Sequence, residues 1–161
     1  MRLFFEVHSE ALRLFRKSVP PIMILSSIEK LLQWPAMSKQ NILIADDDPV
    51  LREAYRRKFK WSGYEIRLAG SGEETVRMIG EKAPDLLICD IAMPHKDGWW
   101  VVDQFPKKKR AFPVVMLTNL ENEETRKRCA LQADGYFIKK DMDLVTLVQM
   151  AASILAADQT T

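Results

Sequence analysis

The chain lacks any apolar run of about 18 residues, so it offers no candidate membrane span. Cysteine is scarce. Cys89 and Cys129 are the only two in 161 residues, and they stand in apolar or helical surroundings without metal-ligand spacing. That excludes a disulfide framework and a zinc site, and it reads as core thiols of a reducing compartment. The two histidines, His8 and His95, have no partner at metal spacing and are expected to be surface or packing residues. Charge of one sign is also lacking. The net charge is +2, too little to steer the protein onto nucleic acid or a membrane. The apolar start Leu3-Phe4-Phe5 gives way at once to Glu6, His8 and Glu10, which makes it a poor candidate for a secretory leader. The basic cluster Lys107-Lys108-Lys109-Arg110 has no interleaved aromatics, so it is read as a solvated loop rather than a nucleic-acid surface. No repeat or low-complexity segment is evident. These absences together lead to the expectation of a cytoplasmic protein.

What is present is a core and a strict alternation. Apolar residues make up 47% of the chain, enough for one domain with a short appendage. Residues 1–36 carry five Lys/Arg against three Asp/Glu, whereas residues 37–161 carry nineteen of each. After residue 40, strand-like runs at 41–45, 64–69, 85–89, 113–117 and 135–138 alternate with helical runs at 49–61, 72–82, 98–105, 122–133 and 142–157. Such alternation implies βαβ units and a parallel sheet. Local chemistry marks several boundaries. Asp48-Pro49 reads as an N-cap with proline at the first helical position, and Ser62-Gly63 as a stop. Ser71 with Glu74 reads as a capping box, and Asp141 as the cap of the last helix.

Residues 1–36 stand apart. An amphipathic stretch over 3–17 precedes Pro20-Pro21, and a second apolar stretch ends at Trp34-Pro35. Met37-Ser38-Lys39 resembles an ordinary protein start, so translation is expected to begin there, with 1–36 an over-extended frame. The functional reading is an amphipathic helical anchor using Leu3, Phe4, Val7, Leu14 and Phe15.

The chemistry lies at strand ends. Ile42-Leu43-Ile44-Ala45 closes on Asp46-Asp47-Asp48, and Leu86-Leu87-Ile88-Cys89 closes on Asp90. In an open parallel sheet, ligands bind beyond the carboxyl ends of the strands, so the two runs would build one acidic pocket. Two unit charges ~4 Å apart repel by about 4 kcal/mol at an effective dielectric near 20. Such a cluster favours a bound cation or a raised pKa, and oxygen-only ligands point to Mg²⁺. Asp48 is read as a cap, whereas Asp46 and Asp47 cannot both be caps. The fourth and fifth strands end in Thr118 and Lys139 at the same edge. A hydroxyl and an ammonium beside acids are the parts that phosphoryl transfer to a carboxylate requires.

As a set, Ile-Leu-Ile-Ala-Asp46-Asp47-Asp48-Pro, Asp85-Leu-Leu-Ile-Cys-Asp90-Ile-Ala-Met-Pro94 with Asp97-Gly98, Val-Val-Met-Leu-Thr118 and Tyr136-Phe-Ile-Lys139 resemble the receiver domain of two-component response regulators. The stand-alone, chemotaxis-regulator-like form is the nearest type. The resemblance runs from about Ser38 to Ala157. It implies a doubly wound five-stranded parallel sheet, order 2-1-3-4-5 and flavodoxin-like, with five helices. It also implies that Asp90 takes a phosphoryl group from a histidine kinase or phosphotransfer protein. Asp46, Asp47, Asp90 and the backbone carbonyl of Ala92 would hold Mg²⁺, while Thr118 and Lys139 would engage the phosphoryl group. Tyr136 would be the aromatic switch. The readout surface, toward a downstream protein or a second copy, would be the fourth helix, fifth strand and fifth helix. The protein would then be a phosphoacceptor switch rather than an enzyme, or a phosphorelay intermediate. Ala92 and Leu120, at the positions that tune hydrolysis in the family, imply a long-lived phosphorylated form. Where the family usually has proline after the lysine, this chain has Lys140, so a trans bond is expected. The rival is a haloacid-dehalogenase-type phosphatase with Asp46 as nucleophile, whose motif Asp46-x-Asp48-x-Val50 satisfies. It leaves Asp90 without a role.

Overall fold

A computed structural model describes residues 39–119, 122–141 and 143–158. The readings made for residues 1–36 and for Leu120 lie outside these residues. Five strands and five helices alternate: β1 (Asn41–Ala45), α1 (Pro49–Trp61), β2 (Glu65–Ala69), α2 (Gly72–Glu81), β3 (Leu86–Asp90), α3 (Gly98–Gln104), β4 (Val114–Thr118), α4 (Glu123–Gln132), β5 (Gly135–Ile138) and α5 (Leu144–Asp158). A short 3₁₀ turn, Lys139–Asp141, joins β5 to the last helix. The strands form one parallel sheet in the order β2-β1-β3-β4-β5. This is the doubly wound, flavodoxin-like arrangement expected from the sequence.

Strand chemistry explains the layering. β1, β3 and β4 are apolar almost throughout and every residue of each is buried, as strands covered on both faces require. Alternation then divides their side chains between two cores. Leu43, Ala45, Leu87, Cys89, Val114 and Met116 join one cluster with Val101, Val102 and Cys129. Ile42, Ile44, Leu86, Ile88, Val115 and Leu117 join the other, with Tyr55 and Phe59 of α1 and Leu147, Ala151 and Leu155 of α5. Both cysteines are buried, and burial pushes each thiol pKa up, as expected of inert core thiols.

The helix starts are set by side-chain caps. The Asp48 carboxylate accepts from the backbone N–H of Val50 (2.7 Å) and Leu51 (3.2 Å), with Pro49 at the first helical position. α1 ends at Ser62, and Gly63 takes the left-handed φ of 97° that glycine tolerates best. Ser71 Oγ accepts from Glu74 N–H at 3.2 Å. The Glu74 carboxylate departs from the expected box by accepting from Gly70 N–H (2.7 Å), one residue before the cap. Asp143, not Asp141, caps α5, accepting from Val145 N–H (3.2 Å) and Thr146 N–H (3.4 Å). The physical reason is the 3₁₀ turn through Asp141, which delays the start of regular helix to Leu144.

One expectation is overturned. The cluster Lys107–Arg110 is not simply a solvated loop, because the Arg110 side chain is only 2% exposed. Its guanidinium donates to the carbonyls of Phe112 (3.0 Å), Phe105 (3.3 Å) and Gln132 (2.9 Å) and to Asp134 Oδ2 (2.5 Å). Lys107 Nζ reaches Ala133 O (2.5 Å) and Asp134 Oδ1 (3.2 Å). These two cations tie the segment before β4 to the segment before β5. Trp99 and Trp100 are both half-buried. Each is roofed by a cation, Arg128 at 4.3 Å and Lys96 at 5.0 Å from the ring centroids.

Candidate functional site

The site begins where β1 and β3 end. Asp46 and Asp90 each lie two residues beyond a member of the α1/α5 core, Ile44 and Ile88, so strand alternation sends both carboxylates to the same face. Both are almost wholly buried, at 0% and 3% exposure, whereas Asp47 is exposed. Lys139, just past β5, lays its ammonium between the buried pair, 2.7 Å from Asp46 Oδ2 and 2.6 Å from Asp90 Oδ2. The remaining oxygens are held by backbone. Asp48 N–H donates to Asp46 Oδ1 (2.9 Å) and Ala92 N–H to Asp90 Oδ1 (3.2 Å). The Arg52 guanidinium donates to the Asp46 carbonyl and lies against Gly70.

Burial, opposed by the Lys139 hydrogen bond and charge, leaves the Asp90 pKa above the usual carboxylate range. Burial also disfavours charge on Lys139, but the two carboxylates prevail and hold its pKa above the ordinary lysine value. The loop after Asp90 is tightly set. Gly98 N–H donates to Ile91 O at 3.0 Å, and a Cβ at Gly98 would overlap the Asp90 carbonyl. Asp97 caps α3 through Trp100 N–H (2.7 Å). His95 occupies the left-handed region with φ 63°. That conformation costs a side-chain-bearing residue about 1–2 kcal/mol, of which glycine's extra unfolded freedom would return about 0.5–1 kcal/mol. His95→Gly is therefore expected to raise the stability of the protein by less than ~1 kcal/mol in urea titration.

Ligand atoms of Asp46, Asp47 and Asp90 lie within 4.8 Å of one another, the grouping a cation could use. The donor chemistry fits Mg²⁺, since all are hard carboxylate oxygens. A second observation agrees: buried Asp46 Oδ2 already draws a cation, the Lys139 ammonium at 2.7 Å. Thr118 is buried at the end of β4, one step past Leu117, the register partner of Asp90. Tyr136, on β5 opposite Met116, is the outward ring of the set at 36% exposure. Ala92 is exposed beside Asp90 and brings no polar side chain. No cis peptide bond occurs among the described residues, so Lys139–Lys140 is trans as expected. Asp48 spends its carboxylate on the α1 cap, which leaves the phosphatase alternative without its second acid.

The sequence reading singled out Asp46, Asp47, Asp90 and Lys139, and the fold brings them together. It did not single out Arg52 or Tyr55. The available signal for Tyr55 was its place between Leu51 and Phe59 on the apolar face of α1, where a polar-tipped ring interrupts aliphatic spacing.

Comparison with known proteins agrees with this geometry. The chain matches the response regulator receiver domain family over residues 42–152 and belongs to it. It is 36% identical over 85 residues to Response regulator MprA of Mycobacterium ulcerans (strain Agy99), a match covering 53% of this chain. The match takes in only 37% of that relative's length. Among solved structures, a CheY-like receiver domain protein from Methanospirillum hungatei JF-1 superposes with a TM-score of 0.71 at 22% identity. That alignment covers 76% of this chain and 98% of the other, and the likeness is one of fold. The receiver domain of a signal transduction histidine kinase from Syntrophus aciditrophicus gives 0.68 at 28% identity, covering 76% and 94%. That family is one of phosphoacceptor switches rather than conventional enzymes, and its members typically bind Mg²⁺ and act with kinases and downstream targets. No helix among the described residues is long and apolar enough to cross a membrane.

Proposed function

We propose that residues 37–161 form a receiver unit that accepts a phosphoryl group on Asp90 from a histidine kinase or phosphotransfer protein. The observation that carries this reading is the buried Asp46–Lys139–Asp90 bridge at the carboxyl edge of the sheet. A carboxylate oxygen of Asp90 attacks phosphorus. The bond from phosphorus to the donor breaks, and the donor leaves with the bonding pair. Asp46, Asp47, Asp90 and the Ala92 carbonyl would hold Mg²⁺. When bound, the ion supplies charge neutralisation for the incoming phosphoryl oxygens. Lys139 turns its ammonium from the carboxylates to the phosphoryl group, and Thr118 donates its hydroxyl to a phosphoryl oxygen. Movement of Thr118 makes room for Tyr136 to turn inward, which changes the face formed by α4, β5 and α5. A downstream protein, or a second copy of the chain, reads that face. Ala92 cannot orient an attacking water, so self-dephosphorylation is slow.

The test is incubation with acetyl phosphate and Mg²⁺, followed by mass spectrometry of peptides. A single base-labile phosphate on Asp90 is expected. Phosphate on Asp46 would overturn the reading in favour of the phosphatase scheme, and no phosphate on any aspartate would overturn both.

A further inference from the structure

Arg52 stands near the start of α1, half-buried, and directs its guanidinium at backbone rather than at an acid. Nη1 donates to the carbonyl of Asp46, and among the described residues the side chain forms no ion pair. The far side of the guanidinium meets Gly70, the residue after β2. A Cβ built on Gly70 would lie 3.2 Å from Nη1, 3.3 Å from Cζ and 3.4 Å from Nη2. The three distances are nearly equal, so the planar group presents its face to Gly70 and leaves no room for a side chain there. The strand ends it joins are already neighbours, since Asp46 N–H donates to Ala69 O at 3.2 Å. Arg52 thus grips the end of β1 from α1, with the end of β2 as its backing.

What depends on that grip is Asp47. The Asp46 carbonyl and the Asp47 N–H belong to one rigid peptide plane, so anchoring the carbonyl fixes how the chain enters Asp47. The Asp46 carboxylate is held independently, by Asp48 N–H at 2.9 Å and Lys139 Nζ at 2.7 Å. Asp47 is exposed, and among the described residues no hydrogen bond or ion pair holds its carboxylate. Its aim toward Asp46 and Asp90, within the 4.8 Å grouping, therefore comes from the backbone. We propose that Arg52 is a positioning residue of the candidate cation site, setting the peptide from which the Asp47 carboxylate projects toward a bound Mg²⁺. It touches neither the ion nor the phosphoryl group, and no proton moves. A cation beside an acidic pocket also has a plain electrostatic effect of opposite sign, since its charge repels Mg²⁺. The inference rests on the phosphoacceptor reading above, in which Asp47 holds Mg²⁺.

The test compares wild type, Arg52→Met, Gly70→Val and the double variant. The Mg²⁺ dissociation constant of each is taken from the rise of its unfolding temperature with Mg²⁺ concentration, which allows for any difference in basal stability. Arg52→Met is expected to bind Mg²⁺ about tenfold more weakly, the effect of one lost charge-assisted hydrogen bond. Gly70→Val keeps every charge but pushes the guanidinium away, so it weakens binding in the same direction. The double variant binds no more weakly than Arg52→Met, because both changes act through one contact. In acetyl phosphate labelling, the Mg²⁺ concentration for half-maximal rate rises by the same factor. Unchanged Mg²⁺ affinity in Arg52→Met, with stability lowered or not, overturns the proposal and leaves Arg52 a structural partner of one carbonyl. Tighter binding overturns it in favour of simple charge repulsion, and additive losses in the double variant overturn the shared contact. If Arg52→Met does not fold, Gly70→Val decides, and wild-type affinity there overturns the proposal. Absence of any Mg²⁺ effect on wild type is a different failure, since it overturns the metal assignment itself.

Discussion

Asp90→Asn is expected to take no phosphate from acetyl phosphate under conditions that label the wild type, and to unfold at a higher temperature. The first result follows from chemistry, because a carboxamide cannot form an acyl phosphate. The second follows from electrostatics. Burial, only partly offset by Lys139, raises the pKa of Asp90 in the folded state. The folded protein then binds more protons than the unfolded chain between the two pKa values, so stability falls as pH rises through that window. Above that window the cost is present in full. Asparagine removes it while keeping an oxygen to accept from Ala92 N–H. The advantage of the variant should disappear below the ordinary carboxylate range, where Asp90 is protonated in both states. Labelling of Asp90→Asn at the wild-type rate would sink the nucleophile assignment. A lower melting temperature than wild type at pH 7 would sink the electrostatic account.

Arg110→Ala is expected to destabilise the protein by about 3 kcal/mol or more, among the largest effects of any change outside the aliphatic core. It strands three carbonyl acceptors, on Phe105, Phe112 and Gln132, and removes the cation beside Asp134. The Asp134 carboxylate also accepts from Val114 N–H at 2.8 Å, which secures the start of β4. Burial acts against its charge, but the hydrogen bonds from Val114 and Arg110 prevail and hold its pKa below the usual range. A lowered carboxylate pKa gives stability that is present above the unfolded value and is lost as pH falls through the folded one. The gap between wild type and Arg110→Ala should therefore narrow in acid. Arg110→Lys should recover only part of the loss, because an ammonium cannot reach the directions of a planar fork. Chemical denaturation at pH 7 and near pH 3 measures both. A loss below 1 kcal/mol at pH 7 would mean that water replaces the guanidinium without cost.

The contrast between Arg110 and Lys139 shows where sequence reading succeeds. Lys139 follows Tyr136-Phe-Ile directly, and strand geometry has few degrees of freedom. A residue at the end of a buried parallel strand must emerge at the ligand edge, whatever the rest of the chain does. Asp46, Asp90 and Thr118 were legible for the same reason. So were the strand and helix alternation and the caps Asp48 and Ser71, because local spacing specifies them. Arg110 follows three lysines in an irregular segment, and no period tells which of four cations turns inward. The carbonyls it binds come from residues 105, 112 and 132, and only folding makes them neighbours. The shift of the α5 cap from Asp141 to Asp143 has a similar origin, since both acids suit the role and the 3₁₀ turn selects between them.

By itself the sequence determined the fold class, the receiver motif set and the identity of the acids and the lysine, because periodicity and strand ends are local properties. The tertiary structure alone decided their state: Lys139 bridging Asp46 and Asp90, Arg110 buried against three carbonyls, and the Tyr55 hydroxyl unpaired within the α1/α5 core. Distances between side chains remote in sequence depend on how two cores pack against one sheet, and charge, burial and hydrogen bonding follow from those distances rather than from residue type.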